Sequence, residues 1–184
     1  MSKNSVEKAA NPSSSPIRIV ILGSGFAAIE VLKKLQNEFS TNNNIEIILV
    51  SRDNFILFTP MLPEVASGMI ETRNIVTPVR AFCKKAKFYQ AKVKSIDLNG
   101  EKLIMTHVIG RQSQPNGWPE HILKYDYLVI ALGSENNFFK MYDVQKYSFT
   151  MKSIDDAITL RNHIINVLEQ ASLEEDDVEL RKSL

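Results

Sequence analysis

Three small residues at fixed spacing follow an unbroken apolar run near the start of the chain. The run is Ile17–Leu22, and Gly23, Gly25 and Ala28 follow it as G-x-G-x-x-A. Gly23 permits a sharp turn out of a buried strand, Gly25 lets a pyrophosphate approach bare backbone, and Ala28 lets a helix pack closely on the strand. The free amides and the dipole of that helix attract phosphate. The pattern predicts a nucleotide or dinucleotide site, and a βα turn without a ligand is the alternative.

The end of the second predicted strand, Ile45–Val50, is where dinucleotide folds place a carboxylate on the adenosine ribose. Ser51 occupies that place here, Arg52 follows it, and Asp53 comes two residues late. One interpretation is that the Ser51 hydroxyl and the Arg52 guanidinium take over the adenosine side, with Arg52 stacking on adenine or reaching phosphate. The other is an ordinary strand-end loop with a solvent-facing arginine.

A segment rich in aromatic residues and proline comes next, Asn54–Lys85, with Pro60 and Pro63 inside it. Large apolar side chains in such a segment suit a cover for a flat apolar ligand, with backbone groups available to ring heteroatoms. Core packing beneath a long connection is the alternative. A helix is predicted from about Pro78.

Composition restricts the remaining function classes. The chain has 184 residues, 44% of them hydrophobic, and a formal net charge of +1, which suits one globular domain and gives no argument for a nucleic-acid partner. No apolar stretch approaches the roughly 20 residues of a membrane span. Cys83 is the single cysteine, which excludes an internal disulfide, and we expect it to be a small apolar residue in a helix. The three histidines stand in unrelated segments, so we expect no metal site.

The elements that position these residues alternate between strand and helix, which predicts an α/β fold: a Rossmann-like, three-layer arrangement with a parallel sheet and an inserted antiparallel β-ribbon. The Asn99-Gly100 pair predicts the hairpin of that ribbon, and Ser153 with Asp156 approximates a capping box that begins a helix. A loop is expected over Gly110–Glu120, with Trp118 as a local packing cap, and a solvated helix start over Glu174–Asp177. The predicted strands are Ile17–Leu22, Ile45–Val50, Phe88–Tyr89, Ala91–Asp97, Lys102–Val108 and Tyr127–Leu132, and the further helices are about Ser24 to Glu38 and Ser153 to about Ala171.

Four stretches carry a resemblance to a known family, and they cover nearly everything after residue 16: VILGSGFAAIEVLKKL, LVSRDNFILFTPMLPEVASGMIETRNIVTPVR, YDYLVIALGSENNFF and SFTMKSIDDAITLRNHIINVLEQA. They resemble the N-terminal part of flavoproteins with two dinucleotide domains, and most closely the type II NADH dehydrogenases, the single-subunit NADH:quinone oxidoreductases. FTPMLPEVASG is the most specific of the matching motifs. Ser51 departs from the family, which commonly has an acidic residue there.

The resemblance implies an FAD site, with no catalytic side chain and with hydride passing from NADH to the flavin before electrons leave to quinone. In this sequence, different groups of residues would contact the FAD pyrophosphate, the adenosine and the isoalloxazine. A further group, on the facing strand, would close over the cofactor. The groups are Gly23, Gly25, Phe26, Ala27 and Ala28 for the pyrophosphate; Ser51, Arg52 and the Val93 backbone for the adenosine; Thr59, Pro60 and Leu62 along the isoalloxazine; and Ala131, Leu132 and Gly133 closing over the cofactor.

Residues 1–16 are rich in Ser, Asn and Pro, which predicts a disordered tail. The resemblance implies that the rest divides into the first part of an FAD-binding domain (17–150) and a helical connection (151–184) toward an NADH-binding domain. No second G-x-G-x-x-G follows, so we expect a truncated chain that binds FAD weakly and cannot oxidise NADH. The complete enzyme would lie on the cytoplasmic side of the cell membrane as a peripheral protein, with a homodimer allowed, whereas this fragment would be soluble.

Three alternatives remain open. A sulfide:quinone oxidoreductase would share the fold but needs cysteines to carry sulfur, and only Cys83 is present. A non-catalytic nucleotide-binding module would keep the first βαβ unit without turnover. An NAD-dependent dehydrogenase is disfavoured by Ser51 and by the apolar segment after it.

Overall fold

The structure, a computed structural model, describes residues 15–107 and 119–173. Eight strands and four helices make up this part of the chain. The strands are β1 (Ile17–Leu22), β2 (Ile45–Ser51), β3 (Phe55–Leu57), β4 (Val76–Pro78), β5 (Lys87–Asp97), β6 (Lys102–His107), β7 (Glu120–Lys124) and β8 (Tyr127–Ile130), and the helices are α1 (Phe26–Glu38), α2 (Leu62–Ala66), α3 (Tyr142–Tyr147) and α4 (Ile154–Leu173).

The main sheet has six strands in the order β7-β6-β5-β2-β1-β8. The pairs β5–β2, β2–β1 and β1–β8 are parallel, whereas β5–β6 and β6–β7 are antiparallel. Strands β3 and β4 form a separate antiparallel pair. The predicted α/β class with an inserted antiparallel ribbon is therefore confirmed. The order of the parallel strands reverses between β1 and β8, which is the position where open α/β sheets bind ligands.

Side chains of β1 and β2 point alternately to two faces, and both faces are covered, as their continuous apolar sequences predict. On one face Ile21, Ile47 and Leu49 pack against Ala28 and Leu32 of α1. The other face packs against the antiparallel ribbon, in a cluster that joins Val20, Leu22, Ile48 and Val50 to Leu103, Met105 and Leu123. Helix, parallel sheet and ribbon thus form three layers.

A buried amide fixes the far end of α1. Gln36 is only 7% exposed; its Nε2 donates to the Phe82 carbonyl (2.9 Å), and its Oε1 accepts from the Lys85 and Ala86 amides at 2.8 and 3.1 Å. The Lys85 ammonium donates to the carbonyls of Phe39 and Asn42, near the C-terminus of the helix. A cation there satisfies carbonyls that have no helical partner and complements the helix dipole.

A second small core joins α2 to α4. Leu62, Val65 and Ala66 of α2 pack with Ile75 and with Ala157 of α4. The predicted capping box is present at the start of α4: the Asp156 amide donates to Ser153 Oγ at 3.1 Å, and the Ser153 amide donates to Asp156 Oδ2 at 2.9 Å. Helix α4 is therefore confirmed to within two residues at each end.

The helix predicted from about Pro78 is wrong. Pro78 has extended backbone and pairs with Phe55, and only a single 3₁₀ turn, Val79–Ala81, follows it. The chain leaves that turn early because Lys85 and Ala86 are held by α1 before β5 begins at Lys87. Cys83 consequently lies outside any helix, with its thiol 3.6 Å from the Val79 carbonyl.

The antiparallel ribbon has three strands where the sequence predicts two. Strand β7 was missed because, of its five residues, only Leu123 is buried. The two strands predicted over 88–97 are one, β5, with a register irregularity between Val93 and Ser95. The Asn99-Gly100 turn is confirmed, although the left-handed residue is Glu101 (φ 48°).

Three further features differ from the sequence predictions. Glu120 begins β7 and does not belong to the predicted loop, and the strand predicted to Leu132 ends at Ile130. Helix α3 was not predicted. Residues 1–14, Trp118 with most of its loop, and Glu174–Asp177 lie outside the described residues.

Candidate dinucleotide-binding site

The carboxyl ends of β1 and β8 meet at Gly23. Its amide donates to the Val50 carbonyl (2.8 Å), and the Ala131 amide donates to the Leu22 carbonyl (2.9 Å). Gly23 has φ +107°, and a Cβ placed on it would lie 2.2 Å from the Ala131 carbonyl oxygen. Only glycine can occupy this position, because both the backbone conformation and the backbone of the facing strand exclude a side chain.

Gly25 shows the opposite behaviour. Its φ of −76° suits any residue, and no atom lies within 4 Å of a Cβ built on it. Neither the backbone nor a neighbouring group in the described chain therefore requires glycine here. The space beside Gly25 is open, and a side chain would obstruct it.

The N-terminus of α1 faces the same space without a capping side chain. The helix begins at Phe26, no side chain in the described parts of the protein caps it, and its first turn holds no acidic residue. The amide of Ile29 is the first that bonds to the helix, at the Gly25 carbonyl (3.1 Å), so the amides of Phe26, Ala27 and Ala28 precede the helical ladder. Such an end favours an anion, since free amides and the helix dipole act in the same direction.

Ser51 is buried at the end of β2, and its hydroxyl already has a partner. Ser51 Oγ donates to Ser24 Oγ at 2.9 Å, and Ser24 Oγ donates to the Phe55 carbonyl at 3.3 Å. This chain of hydrogen bonds ties together the end of β2, the glycine turn and β3. Ser24 was missed by the sequence analysis, although its place between the two glycines was a signal for it.

The other two predicted adenosine residues lie toward the β5 side. Arg52 is exposed and pairs with the adjacent Asp53 carboxylate at 3.3 Å. Gln90, the last β5 residue paired with β2, donates to the Arg52 carbonyl at 3.2 Å. Val93 lies three residues further along β5, about 10 Å beyond Gln90, and its side chain packs against the ribbon core.

The segment after β3 places the ring of Phe58 against that of Phe26, the first residue of α1, beside the glycine turn. Phe26 and Phe58 meet edge to face, with ring centroids 5.9 Å apart, and they are 51% and 45% exposed. Thr59 and Pro60 form an exposed 3₁₀ turn next to them. Leu62 differs, because it is fully buried in the core between α2 and α4. The prediction that Leu62 lies along a ligand therefore conflicts with its packing, whereas Thr59 and Pro60 are accessible.

On the β8 side, the chain turns after Ala131. Leu132 is 58% exposed and Gly133 has φ +81°, so this position also favours glycine. The Lys152 ammonium donates to the Ser134 carbonyl and hydroxyl at 3.0 and 2.9 Å. Neither residue was predicted from the sequence, and the signal for Lys152 was its place beside the capping box.

The space between the α1 N-terminus and the turn after β8 is called the cleft below. The cysteine and histidine side chains lie away from it. Burial raises the pKa of the Cys83 thiol, although the charge of Arg80 opposes the shift. His107 and His121 come from different segments of the sequence, but their ring centroids are 4.7 Å apart because β6 and β7 are adjacent. In the described ranges, no group of three or more His, Cys, Asp or Glu residues could hold a metal ion, and no helix is long and apolar enough to cross a bilayer.

Comparisons with known proteins point to one family. Residues 17–171 match the pyridine nucleotide-disulphide oxidoreductases. The external alternative NAD(P)H-ubiquinone oxidoreductase B4 of Arabidopsis thaliana mitochondria is 34% identical over 175 residues, which are 92% of this chain and 29% of the plant protein. The type II NADH:quinone oxidoreductase Ndh of Mycobacterium tuberculosis is 33% identical over 162 residues, covering 86% of this chain and 32% of the bacterial protein.

The fold of this chain is also similar to that of several solved structures. The structure of NDH2 from Plasmodium falciparum in complex with NADH has a TM-score of 0.72 and 26% identity, over 88% of this chain and 31% of that one. The sulfide:quinone oxidoreductase from Aquifex aeolicus, at 23% identity and a TM-score of 0.65, shares the fold. This chain spans about 30% of the length of these relatives. It belongs to the pyridine nucleotide-disulphide oxidoreductase family, as a homologue of the N-terminal portion of the type II NADH:quinone oxidoreductases.

Proposed function

We propose that the chain is the first part of the FAD-binding domain of an NAD(P)H:quinone oxidoreductase, and that the cleft between the α1 N-terminus and the turn after β8 binds the diphosphate of FAD. The observation that carries the proposal is the open space at Gly25. Because nothing in the described chain explains glycine there, the approach of a ligand to the backbone is the best explanation.

The electrostatics of the cleft support a diphosphate. The amides of Phe26, Ala27 and Ala28 precede the helical ladder of α1, and the absence of an acidic residue from the first turn leaves their partial positive charge uncompensated. An anion that binds there replaces water at donors already aligned, so little ordering is required of the protein.

The remaining cofactor groups are proposed from the family resemblance and from the accessible residues near Gly25. Arg52 and the Val93 backbone would hold the adenosine, and Thr59 and Pro60, next to Phe58, would hold the isoalloxazine. The Ser51 hydroxyl would reach a ribose only by releasing Ser24 Oγ, which makes it an indirect contributor. Ala131, Leu132 and Gly133 would close the cleft from the β8 side.

The chain's own residues position the flavin and exclude water from it. Bound FAD would supply the hydride acceptor at its ring nitrogen N5 and a store of two electrons for quinone. Phe26 and Phe58 offer an apolar edge to a flat ring system, and Leu62 supports the Thr59–Pro60 turn from below by its packing against Ala157.

Oxidation of NADH and reduction of quinone are proposed for the whole protein to which this portion corresponds, as a peripheral enzyme of a quinone-containing membrane. Its relatives carry about 70% of their length in regions that this chain does not match. We therefore propose that the 184-residue chain by itself binds FAD weakly and does not oxidise NADH. Cys83 gives no support to a sulfide-oxidising alternative, since its thiol is partly buried and its raised pKa disfavours the thiolate.

The test is FAD binding by the 184-residue chain and by Gly25→Ala, measured by equilibrium dialysis up to millimolar FAD. We expect the substitution to weaken binding about tenfold or more while the unfolding midpoint stays at the wild-type value, because the added methyl group meets no protein atom. Ser40→Ala, at the opposite end of α1, serves as the control. Equal affinity of wild type and Gly25→Ala, or no binding by wild type, would overturn the proposal.

A further inference from the structure

We infer that Lys152 is a positioning residue for the dinucleotide cleft: its ammonium group holds the turn after β8, Ala131–Ser134, against the glycine turn. This inference rests on the proposed function, because it assigns Lys152 a role in retaining the cofactor. Lys152 itself does not touch the glycine turn and acts through Ser134.

The contact has two hydrogen bonds. Lys152 Nζ donates to the backbone carbonyl of Ser134 at 3.0 Å and to its hydroxyl at 2.9 Å. Ser134 directly follows Gly133, and three residues before Ser134 the Ala131 carbonyl lies against Gly23. The hold on Ser134 is therefore transmitted over only three residues to the backbone that borders the cleft.

Few other contacts in the described chain hold the turn after β8. Ala131 is the last residue hydrogen-bonded to β1, and residues 131–138 have no regular secondary structure. Within the described ranges, Lys152 is the only hydrogen-bond partner of the stretch from Leu132 to Asn136. Leu132, Gly133 and Ser134 are all exposed, so apolar burial does not fix them either.

Lys152, by contrast, extends from a well-anchored base. The Asp156 carboxylate accepts hydrogen bonds from the Lys152 amide (2.8 Å), the Ser153 amide (2.9 Å) and the Thr150 hydroxyl (2.8 Å). The next residue, Ala157, is fully buried against α2. The start of α4 is thus well anchored, and from it the Lys152 side chain reaches the turn after β8. Its positive charge adds to the favourable potential for a diphosphate.

The first test compares Lys152→Met with Lys34→Met, a control that removes the same charge from an exposed position on α1. Hydrogen exchange of the Ala131 amide, which donates to the Leu22 carbonyl, is followed by mass spectrometry of the peptide that contains it, and FAD affinity by equilibrium dialysis. We expect faster exchange in that peptide and about three- to tenfold weaker FAD binding for Lys152→Met, since one or two hydrogen bonds are lost. Lys34→Met should leave both values at the wild-type level.

Two further variants separate positioning from general stability. Lys152→Arg keeps a donor of similar reach and should restore most of the affinity. Ser134→Ala removes only the hydroxyl arm, so its effect should be smaller, and the double variant Lys152→Met/Ser134→Ala should bind FAD no worse than Lys152→Met alone. If Lys152→Met fails to fold, the arginine and alanine variants decide the question, and unchanged exchange and affinity in Ser134→Ala would then contradict the inference.

The two proposals fail in different ways. A wild-type exchange rate of the Ala131 amide in Lys152→Met would overturn the positioning role even if FAD binds. Absence of FAD binding by the wild-type chain would instead overturn the proposed function, and faster exchange in Lys152→Met would still show that Lys152 holds the turn. Equal losses of affinity in Lys152→Met and Lys34→Met would assign the effect to net charge and reject the specific contact.

Discussion

Gly23 lies so close to Ala131 that a methyl group on Gly23 would stand 2.2 Å from the Ala131 carbonyl oxygen. Gly23 directly follows β1, and Ala131 directly follows β8. The order of the parallel strands reverses between these two strands. The reversal opens the cleft, and the missing side chain at Gly23 lets the two strand ends meet beneath it. The architecture and the glycine motif therefore depend on the same position.

Gly23→Ala should unfold more easily than the wild type. The substitution forces a side chain into a left-handed conformation and against backbone that cannot move aside, at a combined cost of about 3 kcal/mol or more. Urea unfolding followed by circular dichroism measures this loss. Gly25→Ala is the matched control, because it adds the same methyl group to the same motif without a clash. A Gly23→Ala protein as stable as Gly25→Ala would contradict the close contact.

Ser51→Ala should lower the free energy of unfolding by about 1 kcal/mol, since it leaves the half-buried Ser24 hydroxyl without its donor. Because the Ser51 hydroxyl is committed to Ser24, we expect FAD affinity to change by less than about threefold. Chemical denaturation and equilibrium dialysis give the two values, with Ser40→Ala as an exposed serine control. A large loss of affinity at unchanged stability would show that Ser51 binds the cofactor directly.

Gln36→Ala should be among the more damaging polar substitutions on α1. It removes one side chain that bonds three backbone groups of residues 82–86 and leaves two half-buried amides and a carbonyl unpaired, which costs about 2 to 4 kcal/mol. Asn37→Ala, one position along on the exposed side of the helix, should cost under about 1 kcal/mol. Differential scanning calorimetry of the two variants checks the contrast, and equal losses would contradict it.

Asp156→Asn should change the pH dependence of stability. The Lys152 backbone amide, followed by hydrogen bonds from Thr150 and Ser153, holds the pKa of Asp156 below its ordinary value of 3.8. A lowered pKa in the folded state stabilises the fold above pH 3.8, and the contribution disappears as the pH falls through the lower folded value. We expect the variant to be less stable by about 1 kcal/mol near neutral pH, with the difference shrinking below pH 3.8.

Asp155→Asn is the control for this titration, because Asp155 is an exposed acid in the same helical turn. Urea midpoints are compared at neutral pH and below pH 3.8 for both variants and the wild type. A difference between wild type and Asp156→Asn that stays constant across this range would reject the role of the Asp156 charge.

The local patterns of the sequence were sufficient for several elements. Strand β1 was predicted at its observed bounds and α4 nearly so, because a continuous apolar run and a capping box are both determined by residues close together in the chain. Strand β7 and the turn at Pro78 were missed for the opposite reason. The first is stabilised by pairing with β6, and the second ends where α1 captures Lys85 and Ala86.

The same division applies to the candidate site. By itself the sequence determined the glycine motif, the strand before it and the helix after it, since the spacing of small residues directly encodes a tight βα turn. Only the tertiary structure decided that Ser51 bonds to Ser24, that Leu62 is buried against Ala157, and that Lys152 reaches Ser134. Those partners come from segments 18 to 95 residues apart, and their meeting depends on strand order and packing that no local pattern specifies.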